Sequence, residues 1–167
     1  MLRGLDAQGT GEDPIVVKVA DREPLEGTVT AYLRTGVASV VRDRQARVRE
    51  TVERLDEAGV VGDVGVVGWP ERARVPADTD TEAEAVALYD AFVDAVGAEA
   101  LSPFFEERSA VGGVDRVLDL PAICIVYRVD GTLSGLYPCW REGNHHSIED
   151  CLRALCSGDR VENVQPT

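Results

Sequence analysis

The stretch Ala122-Ile123-Cys124-Ile125-Val126-Tyr127 is an unbroken apolar run, rich in β-branched and aromatic side chains, with Pro121 at its entrance. A run this short, bounded by turn residues, is the strongest strand signal in the chain. Val129-Asp130-Gly131-Thr132 follows, and Asp-Gly supplies the two positive φ angles of a tight hairpin turn. Leu133 to Tyr137 then returns as the antiparallel partner.

Two further strands are legible. Thr28-Val29-Thr30-Ala31-Tyr32-Leu33 is β-branched and roughly alternating, and Val64 to Trp69, an apolar run closed by Pro70, reads as a buried strand. Between them lies a helix from about Val40 to Ala58, with Val41, Val48, Val52 and Leu55 on one stripe and Gly59 placed to stop it. A second helix follows the acidic stretch Asp78-Thr79-Asp80-Thr81. Thr81-x-x-Glu84 has capping-box spacing, and Val86, Tyr89, Phe92, Val93 and Val96 form the stripe. Leu101-Ser102-Pro103-Phe104-Phe105 reads as an apolar plug. Ser147-x-x-Asp150 opens a last helix with Ile148, Cys151, Leu152 and Leu155 on one face, ended by Gly158.

The expected order is β-α-β-α-β-β-α, an α/β domain with a mixed four-stranded sheet. Its first two strands are a parallel pair joined by a right-handed crossover. Residues 28–157 in this order resemble the thioredoxin fold, which implies a three-layer sandwich and a cis-proline at Pro121. The thioredoxin active site lies between the first strand and the first helix. Here that segment is Arg34-Thr35-Gly36-Val37-Ala38-Ser39, without a thiol, so dithiol exchange does not carry over. Residues 1–27 read as a flexible acidic arm, with Ile15-Val16-Val17 as an edge strand; 28–158 form the domain and 159–167 a polar tail.

The 167 residues suit one domain with its own core. Thirty acidic against seventeen basic residues give a formal charge of -13, and Lys18 is the single lysine beside sixteen arginines. This balance, with abundant Val, Ala and Gly, resembles proteins of salt-loving archaea. In molar salt, carboxylates keep a surface hydrated while repulsion is screened to about 3 Å. The charge argues against a phosphate backbone as partner, an objection that such salt weakens. No run approaches a membrane span, and no secretory signal is visible, so a cytoplasmic protein with no membrane partner is expected.

Cys139, His145, His146, Cys151 and Cys156 are the one group with metal-ligand chemistry, although no C-x-x-C pair exists and the spacing fits no standard zinc motif. Cys139, with His145 or His146 near it, is the candidate nucleophilic or redox thiol. Cys124 and Cys151 fall on apolar faces and read as core. Arg34, Ser39 and Arg141 are candidates for an anion site at the end of the sheet. Arg42, Arg44, Arg47, Arg49 and Arg54 on the first helix could meet phosphates, although Asp43, Glu50 and Glu53 lie among them. Trp69 and Trp140 stand at strand ends, as core caps or as a partner surface. No P-loop, dinucleotide fingerprint or H-E-x-x-H is present, and no cofactor is implied.

Three stretches, Arg42-Asp43-Arg44-Gln45, Leu101-Ser102-Pro103-Phe104-Phe105 and Tyr137-Pro138-Cys139, resemble a family of small haloarchaeal proteins, some of which carry a loose helix-turn-helix label. In this chain the two long helices are separated by strand-like sequence, not by a turn of three or four residues. The sequence therefore points to a non-catalytic, cytoplasmic interaction or regulatory module with a protein partner. A thiol-redox or metal protein centred on Cys139, His145 and His146 is one alternative, and a DNA-associated regulator using the first helix is the other.

Overall fold

A computed structural model describes residues 24–109, 112, 115–159 and 161–164. The central strand is β1 (Leu25–Arg34), and the helix α1 (Ser39–Glu57) leads from it to β2 (Val61–Trp69). Next come β3 (Arg72–Val75), α2 (Asp80–Val96), the short α3 (Ala98–Leu101), β4 (Glu106–Ser109) and β5 (Arg116–Asp119). The hairpin β6 (Ile123–Val129) and β7 (Thr132–Tyr137) is followed by a smaller one, β8 (Cys139–Arg141) and β9 (Asn144–His146). The helix α4 (Ile148–Ser157) closes the order.

The main sheet runs β2-β1-β6-β7. β1 is parallel to β2 and antiparallel to β6, and β6 is antiparallel to β7. The mixed four-stranded α/β sheet expected from the sequence is present. Register explains its double burial. Val29, Ala31 and Leu33 stand opposite Tyr127, Ile125 and Ile123, and alternation sends all six to one face. There they meet Val48, Val52 and Leu55 of α1 and Ile148, Leu152 and Leu155 of α4. Tyr32 and Cys124, paired between them, point to the other face and join Ala85, Tyr89 and Phe92 of α2. α1 and α4 thus cover one side and α2 the other.

The β6–β7 turn has φ of 52° at Asp130 and 77° at Gly131, as the Asp-Gly pair requires. The expected box on α4 is complete: Ser147 Oγ accepts from Asp150 N, and the Asp150 carboxylate accepts from Ser147 N.

Several expectations need correcting. β2, expected to be buried, is an edge strand with Gly62, Asp63, Val67 and Gly68 exposed. The cap of α2 is Thr79, whose hydroxyl accepts from Glu82 N at 3.1 Å, and not Thr81. Residues 25–27, assigned to the arm, belong to β1; the edge strand at Ile15–Val17 lies outside the described residues. Residues 161–164 are not simply a polar tail, since Val161 and Val164 are buried. The cis prolyl bonds among the described residues precede Pro76, Pro103 and Pro138, and Pro121 is not among them. A second sheet, β3-β5-β4, was not foreseen. It turns Ala73 and Leu118 into the α2-side core and arginines and carboxylates outward.

Candidate functional site

The β8–β9 hairpin decides how far the thiol and the imidazoles converge. Cys139 stands opposite His146, and Trp140 opposite His145. Successive strand residues face opposite sides, so Cys139 and His146 share one side and His145 is turned to the other. Asn163 joins the first pair: its Nδ2 lies 3.0 Å from His146 Nδ1 and 3.5 Å from Cys139 Sγ. The amide orientation is fixed by Leu136, whose N donates to Asn163 Oδ1 and whose O accepts from Nδ2, each at 2.8 Å. His146 Nδ1 is then the acceptor, which places its proton on Nε2. Cys139 is fully buried, and its thiol donates to Leu136 O at 3.1 Å. Burial pushes this thiol up to about 11, against the opposing pull of Arg141 and Asn163. A neutral thiol packed in the core is a poor nucleophile. Among the described residues no group of three His, Cys, Asp or Glu side chains is placed to share a metal ion.

His145 belongs instead to an aromatic cluster that sequence reasoning missed. Its ring stacks on Phe104 at 4.9 Å and meets Trp140 at 5.3 Å. Trp140 is 38% exposed, whereas Trp69 is 2% exposed. Trp69 stacks on Tyr32 at 5.0 Å and donates Nε1–H to Pro121 O at 3.1 Å. The two tryptophans therefore divide, one on the surface and one in the core.

The three anion-site candidates are not brought together. Arg34 donates from Nη1 to Leu120 O at 2.9 Å. Ser39 opens α1, but the cap residue is Ala38, which offers no side-chain bond. Arg141 sits in the β8–β9 hairpin opposite Asn144. Among the described residues no hydrogen bond or ion pair links the three.

The arginines sort into two populations. On the small sheet Arg72 and Arg108 both reach Asp119, at 3.2 and 2.9 Å. Arg116 lies between Glu107 and Asp90, and Arg74 between Asp78 and the buried Glu82. The first half of α1 differs in part: Arg44 is likewise held by a carboxylate, that of Glu149, but among the described residues Arg42 and Arg49 are not. Residues 39–49 carry Arg42, Arg44, Arg47 and Arg49 against the single acid Asp43. Arg42 and Arg49 line a cleft of about 370 Å³ with Leu33, Gln45, Ala46, Glu50 and Glu53. Among the described residues neither has an ion-pair partner. Gln45 anchors this half to the sheet, donating from Nε2 to Arg34 O and Ala122 O, both at 2.9 Å.

A protein family described as a helix-turn-helix domain matches residues 21–160. The chain belongs to that family. Comparison with curated proteins and with solved structures found no match. In this helix-turn-helix family member α1 and α2 are separated by β2 and β3, and α3 beyond Gly97 has four residues. Among the described residues no two long helices are joined by a short turn, as the sequence indicated. No helix among them is long and apolar enough to cross a membrane.

Proposed function

We propose that this helix-turn-helix family member is a DNA-associated regulatory module and that the first half of α1 meets the phosphate backbone. The segregation of the arginines carries the reading. Those on the small sheet are held by carboxylates, while Arg42 and Arg49 line a cleft without such partners among the described residues. A guanidinium already engaged must give up its carboxylate before it can hold a phosphate, and an unengaged one need not. Family membership supports the same reading, because helix-turn-helix proteins place a helix against DNA. Here the helix would be α1 alone, steadied by Gln45 and the sheet beneath it. This is the DNA-associated alternative of the sequence reading and not its first expectation, a non-catalytic cytoplasmic module with a protein partner. The buried Cys139 weighs against the thiol alternative.

We further read the architecture as thioredoxin-like. Its support is the strand order β2-β1-β6-β7 with those directions, and α1 and α4 facing α2 across the sheet.

The test is duplex binding across graded potassium chloride. A protein of net charge -13 repels DNA over long range until salt screens it. Local phosphate contacts weaken only as salt rises further. Affinity is therefore expected to pass through a maximum with salt. On the high-salt limb Arg42→Ala and Arg49→Ala should each flatten the log–log slope by about 0.9, while Arg72→Ala leaves it unchanged. Absence of binding at every salt concentration, or equal losses from all three variants, would overturn the reading.

A further inference from the structure

Arg44, in the basic half of α1, reaches a different helix. Its Nε donates to Glu149 Oε2 and its Nη2 to Glu149 Oε1, both at 3.0 Å, across 105 residues of sequence. This is the two-pronged geometry in which a guanidinium also takes a phosphate. Glu149 lies in the first turn of α4, where the helix dipole favours a negative side chain. The carboxylate would therefore remain well placed after Arg44 had left it. The side chains are 41% and 53% exposed, so exchange requires no opening of the core.

From this we infer that Glu149 is an autoinhibitory stand-in for a backbone phosphate, occupying the Arg44 fork until DNA displaces it. The inference rests on the proposed role of α1 and adds to it the regulation of that surface. Association then proceeds by exchange of carboxylate for phosphate at Arg44, while Arg42 and Arg49 on the cleft side need no exchange. Anything that draws Glu149 away strengthens binding, and anything that fixes the pair weakens it.

The experiment is a double-mutant cycle on duplex binding, read as the dissociation constant at one salt concentration on the high-salt limb. Glu149→Gln in the full chain is expected to bind several-fold tighter than the wild type, with the salt slope unchanged because Arg44 meets the same phosphate in both complexes. In an Arg44→Ala background the same change should alter affinity no more than Glu142→Gln does. Glu142→Gln, which removes the same charge from the β8–β9 turn, is the control for net charge. Circular dichroism checks that α4 remains folded, and Glu149→Asp, which shortens the reach to Arg44 but keeps the charge, should shift the affinity in the same direction. If the wild type binds through Arg42 and Arg49 but Glu149→Gln behaves like Glu142→Gln, or acts equally without Arg44, the inference falls and the reading of α1 stands. If neither the wild type nor Glu149→Gln binds, both fall.

Discussion

The side-chain amide of Asn163 pairs with the backbone of Leu136 as a neighbouring strand would, accepting from its N and donating to its O, both at 2.8 Å. β7 is the last strand of the main sheet, so these two groups of Leu136 would otherwise face outward. Val164 N adds a bond to Ser134 O at 3.1 Å, and the Tyr137 hydroxyl donates to Val161 O at 2.6 Å. A short segment with no strand of its own thereby closes the sheet edge.

Replacing Asn163 by Ala removes both partners of Leu136 together. The expected loss is about 1–3 kcal/mol, the range for leaving buried polar groups unsatisfied. Urea denaturation measures it. A loss below a few tenths of a kcal/mol would show that water replaces the amide at no penalty.

Trp69 and Trp140 should respond in opposite ways. Trp69→Ala empties a site bounded by Tyr32 and Phe105 and is expected to cost about 3–5 kcal/mol. Trp140→Ala, at a surface cluster, should cost about 1 kcal/mol or less. Iodide quenching should reach Trp140 in the folded protein and leave the Trp69 emission nearly untouched.

The four cysteines are all buried and free. Burial raises the thiols of Cys124 and Cys151 as well as that of Cys139. A thiol reagent at neutral pH should therefore label the native protein slowly and label it fully once it is unfolded. One fast-reacting thiol that disappears in Cys139→Ser would restore the redox alternative.

Glu82 makes stability depend on pH. Its carboxylate accepts from Arg74 N at 2.9 Å, Nε at 3.1 Å and Nη2 at 3.0 Å. Hydrogen bonding from Arg74 holds the carboxyl below its ordinary range, with burial acting the other way. The folded state thus binds this proton at lower pH than the unfolded chain does. Its stabilisation is complete above the ordinary carboxylate range and is lost as pH falls through the folded value. Glu82→Gln is expected to lower the urea midpoint at neutral pH, with the gap to wild type closing in acid. A gap that stays constant with pH would mean that the carboxylate charge contributes nothing.

The parts of the fold that could be read from the chain are those in which local pattern and tertiary burial agree. β1, β2, the β6–β7 hairpin and the capping box of α4 all carry their own apolar period and their own turn or cap chemistry. The small sheet does not. β4 is Glu-Glu-Arg-Ser and wholly exposed, and the side chains that hold it act across strands, as Arg116 does with Glu107. Such pairs are invisible until register is known. The cap of α2 was ambiguous because Asp78-Thr79-Asp80-Thr81 offers a hydroxyl in two positions. The position at Thr79 sets Glu82 where it can reach Arg74. The β8–β9 turn uses Glu142 and Gly143, with φ of 54° and 80°, in place of a recognisable Asn-Gly or Asp-Gly pair. That hairpin separated His145 from His146, which spacing alone could not do. Arg44 and Glu149 are likewise too far apart in sequence for pairing to be read from either helix.

Val161 lies in the core under α1 and α4, and Val164, three residues on, lies in the core under α2. The segment between them wraps around the sheet margin and ties its two faces together. During synthesis the layer under α1 and α4 cannot be completed before residue 161 has emerged from the ribosomal tunnel, nor the layer under α2 before residue 164. A nascent chain stalled before that point would expose both unfinished interiors to chaperones and proteases.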